Sequence, residues 1–183
     1  MLFSAMPFAL KDGRTALLRS PDPENDAADM VQYLYDTAAD TPFVLRTPAE
    51  IRYTVEGEEA FLQHVVDSPD ACMLVCEVDG RIAGNCQISF LRGIKTRHRC
   101  DIAIALRKPY WGNGIGTAMF TEMEKLARAR QGVSVMELEF IEGNARARGL
   151  YEKMGFRIVG MHPDAICQEN GESAALYLMQ KQL

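Results

Sequence analysis

The apolar positions of this chain switch between two periods. Phe8-Ala-Leu10 and Thr15-Ala-Leu-Leu18 are short apolar runs on either side of Asp12-Gly13, the pattern of a hairpin. After the loop Pro21-Asp-Pro-Glu-Asn-Asp26, the residues Ala28, Val31, Leu34, Tyr35 and Ala38 recur at helical spacing. Pro42 and Pro48 mark a connection. Phe61, Leu62, Val65 and Val66 predict a second helix, ending near Ser68-Pro69. Strands follow: residues 72–78 and 81–90 flank Asp79-Gly80 as a second hairpin, and a looser turn at 92–97 leads into 99–106. Met119, Phe120, Met123, Leu126 and Ala127 line one side of a third helix, closed by Gly132. Met136, Leu138 and Phe140 alternate with Glu137 and Glu139, which predicts a strand with one buried face. A short helix over 144–154 stops at Gly155, and strands at 156–159 and 174–179 close the chain. The order ββααβββαβαββ predicts one mixed α/β domain over residues 1–183.

Composition narrows the class. A chain of 183 residues with 48% hydrophobic and 25% charged residues can bury a sizeable core. A net charge of −5 disfavours a nucleic-acid surface. The five cysteines are odd in number and lack a C-x-x-C pair, and His64, His98 and His162 are scattered, so no metal-ligand spacing is present. The expectation is a reduced, cytoplasmic protein using cysteines as small core residues, with no metal. The apolar first ten residues lack a basic start and are interrupted by Pro7, which reads as a strand rather than a signal peptide. No run is long enough to span a membrane, so no membrane partner is expected.

The chemistry concentrates in Arg107-Lys-Pro-Tyr-Trp-Gly-Asn-Gly-Ile-Gly-Thr-Ala-Met119. An apolar run stops at a proline, Gly112, Gly114 and Gly116 fall at alternate positions, and a helical pattern begins. Strand, glycine turn and helix start aim several unpartnered N–H groups at one point, where the helix dipole also favours an anion. The spacing G-x-G-x-G is neither the dinucleotide fingerprint G-x-G-x-x-G nor the NTPase loop, and the turn lies late in the chain. A second motif is Asn144-Ala-Arg-Ala-Arg-Gly-Leu-Tyr-Glu-Lys-Met-Gly-Phe156. Two helical turns put Asn144 and Tyr151 on nearly one face, about 10 Å apart along the axis, with the small Ala147 between them. A plain amphipathic helix with Leu150, Tyr151 and Met154 in the core has the same pattern.

Together the motifs resemble the GNAT superfamily of acyl-CoA-dependent N-acetyltransferases, most strongly from Asp101 to Phe156. That family carries Gln/Arg-x-x-Gly-x-Gly/Ala followed by Asn-x-x-Ala-x-x-Leu/Phe-Tyr-x-x-x-Gly-Phe. Trp111 stands at the family's Gln/Arg position, a version that resembles the branch of ribosomal-protein N-terminal and small-amine acetyltransferases. The resemblance implies a mostly antiparallel sheet of six to seven strands flanked by about four helices. It implies acetyl-CoA as co-substrate, with the pyrophosphate at Trp111, Gly112, Asn113, Gly114, Ile115, Gly116 and Thr117. Pantetheine would lie along Ile104, Ala105 and Leu106 and beside Asn144, Ala147 and Tyr151. It implies Tyr151 as proton donor to the leaving thiolate and Asp101 as base, with a relay water, Glu139 or His98 as further candidates. Arg146 and Arg148 are candidates for the 3′-phosphate, or form a solvated helix face. The acceptor would be a small-molecule amine or a peptide N-terminus, bound by the first two helices and the last hairpin. Glu50, Glu56, Glu58 and Glu59 in that region could attract a cation. The family also implies that two copies can pair as a homodimer. An acyl-CoA-binding or sensing domain with little catalysis is the alternative.

Overall fold

Two Asp-Gly pairs build the first half of the sheet. Asp79 and Gly80 both take positive φ (52° and 74°), the backbone a tight hairpin needs to match strand twist. They join β3 (Ala71–Val78) to β4 (Arg81–Phe90). Gly13 (φ 88°) turns β1 (Met6–Ala9) back on β2 (Thr15–Arg19). Between the hairpins lie α1 (Pro23–Asp40), capped by Asp22 accepting from the Asn25 N–H, and α2 (Val55–Asp67), capped by Thr54. The chain continues through β5 (Arg99–Leu106), α3 (Ile115–Ala129), β6 (Val135–Ile141), α4 (Ala145–Lys153), β7 (Arg157–Cys167) and β8 (Ser173–Gln182).

The computed structural model describes residues 1–183 and places all eight strands in one sheet, in the order β1-β2-β3-β4-β5-β6-β8-β7. The element order is the one the hydrophobic pattern predicts. The eight strands are those of the hydrophobic pattern and exceed the six to seven that the resemblance implied; the N-terminal hairpin continues the sheet beyond β3, and β7 lies along the outer side of β8. The last two strands are also longer than the apolar runs that announced them, since β7 is mostly exposed and carries little hydrophobic signal. No helix is long and apolar enough to cross a membrane.

The sheet buries both faces at its centre. Cys72, Leu74 and Cys76 of β3 point toward α3, packing with Met119, Phe120 and Met123, while Met73 and Val75 point toward α1 and α2, against Met30, Tyr33 and Leu62. Four of the five cysteines are buried in this way, and Cys167 is exposed. One expected outward residue turns in: Glu137 is buried, because Arg99 reaches both its carboxylate oxygens.

A buried arginine locks α1 onto the end of β5. Arg107 donates from Nη1 to the Ile82 carbonyl at 2.6 Å and from Nη2 to Asp29 at 3.0 Å. Its Nε lies 2.9 Å from Asp36 but off the N–H axis, so that contact is ionic rather than a hydrogen bond. Tyr33 lies beneath the guanidinium and donates its hydroxyl to the Ala105 carbonyl. Replacing Arg107→Ala leaves two carboxylates without their shared cation. We expect a loss of about 2–3 kcal/mol, read as a lower denaturant midpoint at unchanged m-value.

Candidate functional site

The site begins where β5 and β6 separate. They are the only parallel neighbours in the sheet and pair over three residues, Arg99–Asp101 with Val135–Glu137. Beyond Asp101 no strand lies beside β5 on that side. Strand residues alternate their backbone groups, and the Arg107 N–H donates to Ala83 on β4. Ile104 and Leu106 therefore direct theirs into the split, and Ala105 directs its own toward β4.

The glycine turn closes the wide end of the split. Gly112 (φ 82°) and Gly114 (φ 94°) are left-handed, and Gly114 caps α3 without any side-chain hydrogen bond. The N–H groups of Ile115, Gly116 and Thr117 thus form the unpartnered first turn of a fifteen-residue helix. A Cβ at Gly112 or Gly114 would meet nothing, so conformation alone demands glycine there. Gly116 differs: a Cβ would come within 2.7 Å of Leu150 Cδ2, so its smallness lets α3 and α4 approach.

Trp111 has a definite place. Its indole Nε1 donates to the Leu106 carbonyl at 2.8 Å, tying the turn to the end of β5. Arg146 of α4 lies over the indole, 4.8 Å from the ring centroid. Arg148 points elsewhere and pairs with Glu152. Lys11, from the first hairpin, approaches the same turn, its N–H 3.4 Å from the Asn113 carbonyl.

The opposite wall is α4. Asn144 caps it, its side-chain oxygen accepting from the Ala147 N–H at 3.1 Å. Tyr151 is packed among Phe120, Phe140 and Phe156, with ring centroids at 5.5, 6.1 and 6.4 Å. Only 6% of it is exposed, and its hydroxyl has no protein partner. Burial among apolar rings pushes the phenol up to about 12, so it keeps its proton through neutral pH.

Two cavities flank the split. The first, about 500 Å³, includes the glycine turn, Ile104, Ala105, Leu106, Asn144, Ala147 and Tyr151. The second, about 600 Å³, holds Arg99, Asp101, Glu137 and Glu139. Ile104, Asn144, Tyr151 and Phe43 line both, so Tyr151 stands at the junction. Asp101 is raised above the ordinary carboxylate value, chiefly by partial burial and then by the like charge of Glu137, with Arg99 opposing.

Of the residues expected at the pyrophosphate and pantetheine, all except Asn113 line the first cavity, as does Arg146 but not Arg148, and Asp101 and Glu139 line the second. His98 lines neither, nor do Glu50, Glu56, Glu58 and Glu59. Glu50 accepts from Thr47 in a short turn, and Glu58 is buried and raised by desolvation. Sequence reasoning missed Phe43, Lys11 and Thr37, which also line the first cavity, as does Tyr110 of the glycine-turn stretch, to which no role was given. Phe43 carried a faint signal, an apolar residue between two prolines in a loop; the others carried none.

The chain that carries this split strand pair, glycine turn and buried tyrosine is an acyl-transferring enzyme of the N-acetyltransferase class. Residues 31–156 match the Acetyltransferase (GNAT) family, and the chain belongs to it. It is 27% identical over 125 residues to the L-amino acid N-acetyltransferase AaaT of Escherichia coli (strain K12), covering 68% of this chain and 76% of that one. It is 29% identical to a putative ribosomal protein bS18-alanine N-acetyltransferase of Bacillus subtilis (strain 168), covering 65% and 75%. The crystal structure of a GNAT-family acetyltransferase from Streptococcus pneumoniae superposes with a TM-score of 0.84 at 31% identity, covering 92% of this chain and 99% of that chain.

Gly114→Ala should cost about 1–2 kcal/mol through backbone conformation alone, visible as a lower melting temperature. In a carboxyl NMR titration, Asp101 should titrate above its ordinary value of 3.8. Glu137→Gln should move that midpoint down, since it removes a like charge and frees Arg99; an unchanged midpoint would show that the two groups do not interact.

Proposed function

We propose that this N-acetyltransferase moves the acetyl group of acetyl-CoA to a primary amine of a small molecule or peptide N-terminus by direct attack, with residues 1–183 acting as one domain. The observation that carries it is Tyr151: a buried, protonated phenol without a protein partner, at the junction of the two cavities. A module that only bound an acyl-CoA would need no such group there.

The first cavity suits the co-substrate. The bare N–H groups of Ile115, Gly116 and Thr117 receive the pyrophosphate, with Lys11 and Arg146 as nearby cations. The Ile104 and Leu106 backbone offers strand-like pairing to the pantetheine amides, and the Asn144 amide donates beside it.

The amine enters from the second cavity. With a pKa near 10.4, fewer than about one such amine in a thousand is neutral at pH 7. Asp101, directly or through a water, accepts its proton. The nitrogen attacks the thioester carbonyl, and an N–H of the split strand holds the developing oxyanion. The new C–N bond then replaces the C–S bond. Tyr151 hydrogen-bonds the departing thiolate and supplies its proton, and the second proton shed by the acylated nitrogen passes through water to restore the phenol. The amide, free CoA and one released proton balance the reaction.

Tyr151→Phe should lower kcat about 100-fold, while the rise in melting temperature on adding acetyl-CoA stays unchanged. Equal loss of both would make the tyrosine a packing residue. If acetyl-CoA fails to stabilise the wild-type protein, the assignment itself fails.

A further inference from the structure

Four residues line both cavities and so mark their junction: Ile104, Asn144, Tyr151 and Phe43. The first three belong to the walls of the split, β5 and the start and body of α4. Phe43 arrives from elsewhere, the connection between α1 and α2. Its neighbours Thr41 and Val44, and Thr37 near the end of α1, line the first cavity only, so Phe43 is the point at which this connection reaches the junction. The ring reaches across to the turn before α4: a Cβ at Gly143 would lie 3.5 Å from its Cε1 and 3.8 Å from its Cζ. The backbone around it is held on both sides. The Phe43 N–H donates to the Thr41 hydroxyl at 3.3 Å, and further on the Thr47 N–H donates to Glu50 at 2.8 Å.

The junction is where the acyl carbon must sit, and in the tetrahedral intermediate that carbon carries four groups. Sulfur reaches it through the first cavity and nitrogen from the second. The oxygen turns to a backbone N–H of the split strand. The alkyl group takes the one direction left, away from β5. Apart from Ile104 of β5 itself, the junction offers Asn144, Tyr151 and Phe43. The amide and the phenol hydroxyl present polar groups, and the Phe43 ring supplies the apolar surface. A methyl group can rest against that ring. Each further methylene must push the ring off Gly143 or enter the space the amine needs.

Building on the acetyl-transfer reading above, we propose that Phe43 sets the size of the acyl group: its ring bounds the space beside the thioester, so that acetyl is held and longer acyl chains are excluded. Phe43 bears no charge and moves no proton. Its removal therefore changes which acyl-CoA is taken, and leaves the contacts to the rest of the coenzyme in place.

No acceptor is needed to test this. Dissociation constants for CoA, acetyl-CoA and butyryl-CoA are measured by titration calorimetry on the wild type, Phe43→Ala and Phe43→Leu. In the wild type we expect butyryl-CoA to bind about tenfold more weakly than acetyl-CoA, the scale of forcing extra methylenes into filled space. Phe43→Ala should bring the two acyl-CoAs within about twofold of each other while CoA itself binds as before. Phe43→Leu should fall between, and it carries the comparison if the Ala variant does not fold. Three results would overturn the inference while leaving acetyl transfer intact: a wild type that binds both acyl-CoAs alike, a gap between them that persists in the variants, or variants in which all three ligands weaken together, which would make Phe43 a packing residue. A wild type that binds neither CoA nor acetyl-CoA would instead remove the underlying reading.

Discussion

β5 and β6 part after three residue pairs, and the groove exists because they do. Had the parallel pairing continued, the backbone groups of Ile104 and Leu106 would have been consumed by a neighbouring strand, and no extended ligand could lie there. The separation also requires something to hold each strand apart at its carboxyl end. The α3 start does this for β5 through the glycine turn, and the α4 start does it for β6 through the Asn144 cap. Two helix starts therefore face one opening, a concentration of unpaired N–H groups that a closed sheet could not offer.

The split is stable because the structure behind it is rigid. Arg107, one residue past β5, is buried between two carboxylates of α1 and a carbonyl of β4, and Tyr33 fixes the Ala105 carbonyl from the same helix. The side of β5 that faces away from the split is fully engaged, so the free side keeps its shape. Trp111 adds a tie on the free side by taking the Leu106 carbonyl. What it leaves open in the split is the Leu106 N–H and both groups of Ile104.

Much of this was legible in the residues. Alternate glycines after a proline-terminated apolar run can hardly be anything but a turn with left-handed residues, and Gly112 and Gly114 are left-handed. The seven-residue step from Asn144 to Tyr151 put both on one wall, because helical geometry admits little else. What stayed hidden depended on distant partners. Glu137 reads as a solvent-facing strand residue until Arg99 is seen to neutralise it from the adjacent strand. Lys11 belongs to a hairpin about a hundred positions from the turn it approaches, and nothing local marks it. Phe43 lies in a connection whose path is set by packing, not by periodicity. What the pattern understated was the length of β7, not its existence, because an exposed outer strand needs no apolar pattern to pair.

The cap on α4 has a consequence for the polarity of the groove. An amide side chain is ordinarily ambidextrous, able to present its oxygen or its nitrogen as the neighbour demands. At Asn144 the cap turns the oxygen to the Ala147 N–H, which leaves the NH2 end without a protein partner. That point of the wall speaks in one direction: it welcomes a carbonyl or phosphate oxygen and turns away an N–H. A residue recruited to start a helix thereby sets the orientation in which a chain of alternating amides can thread past it.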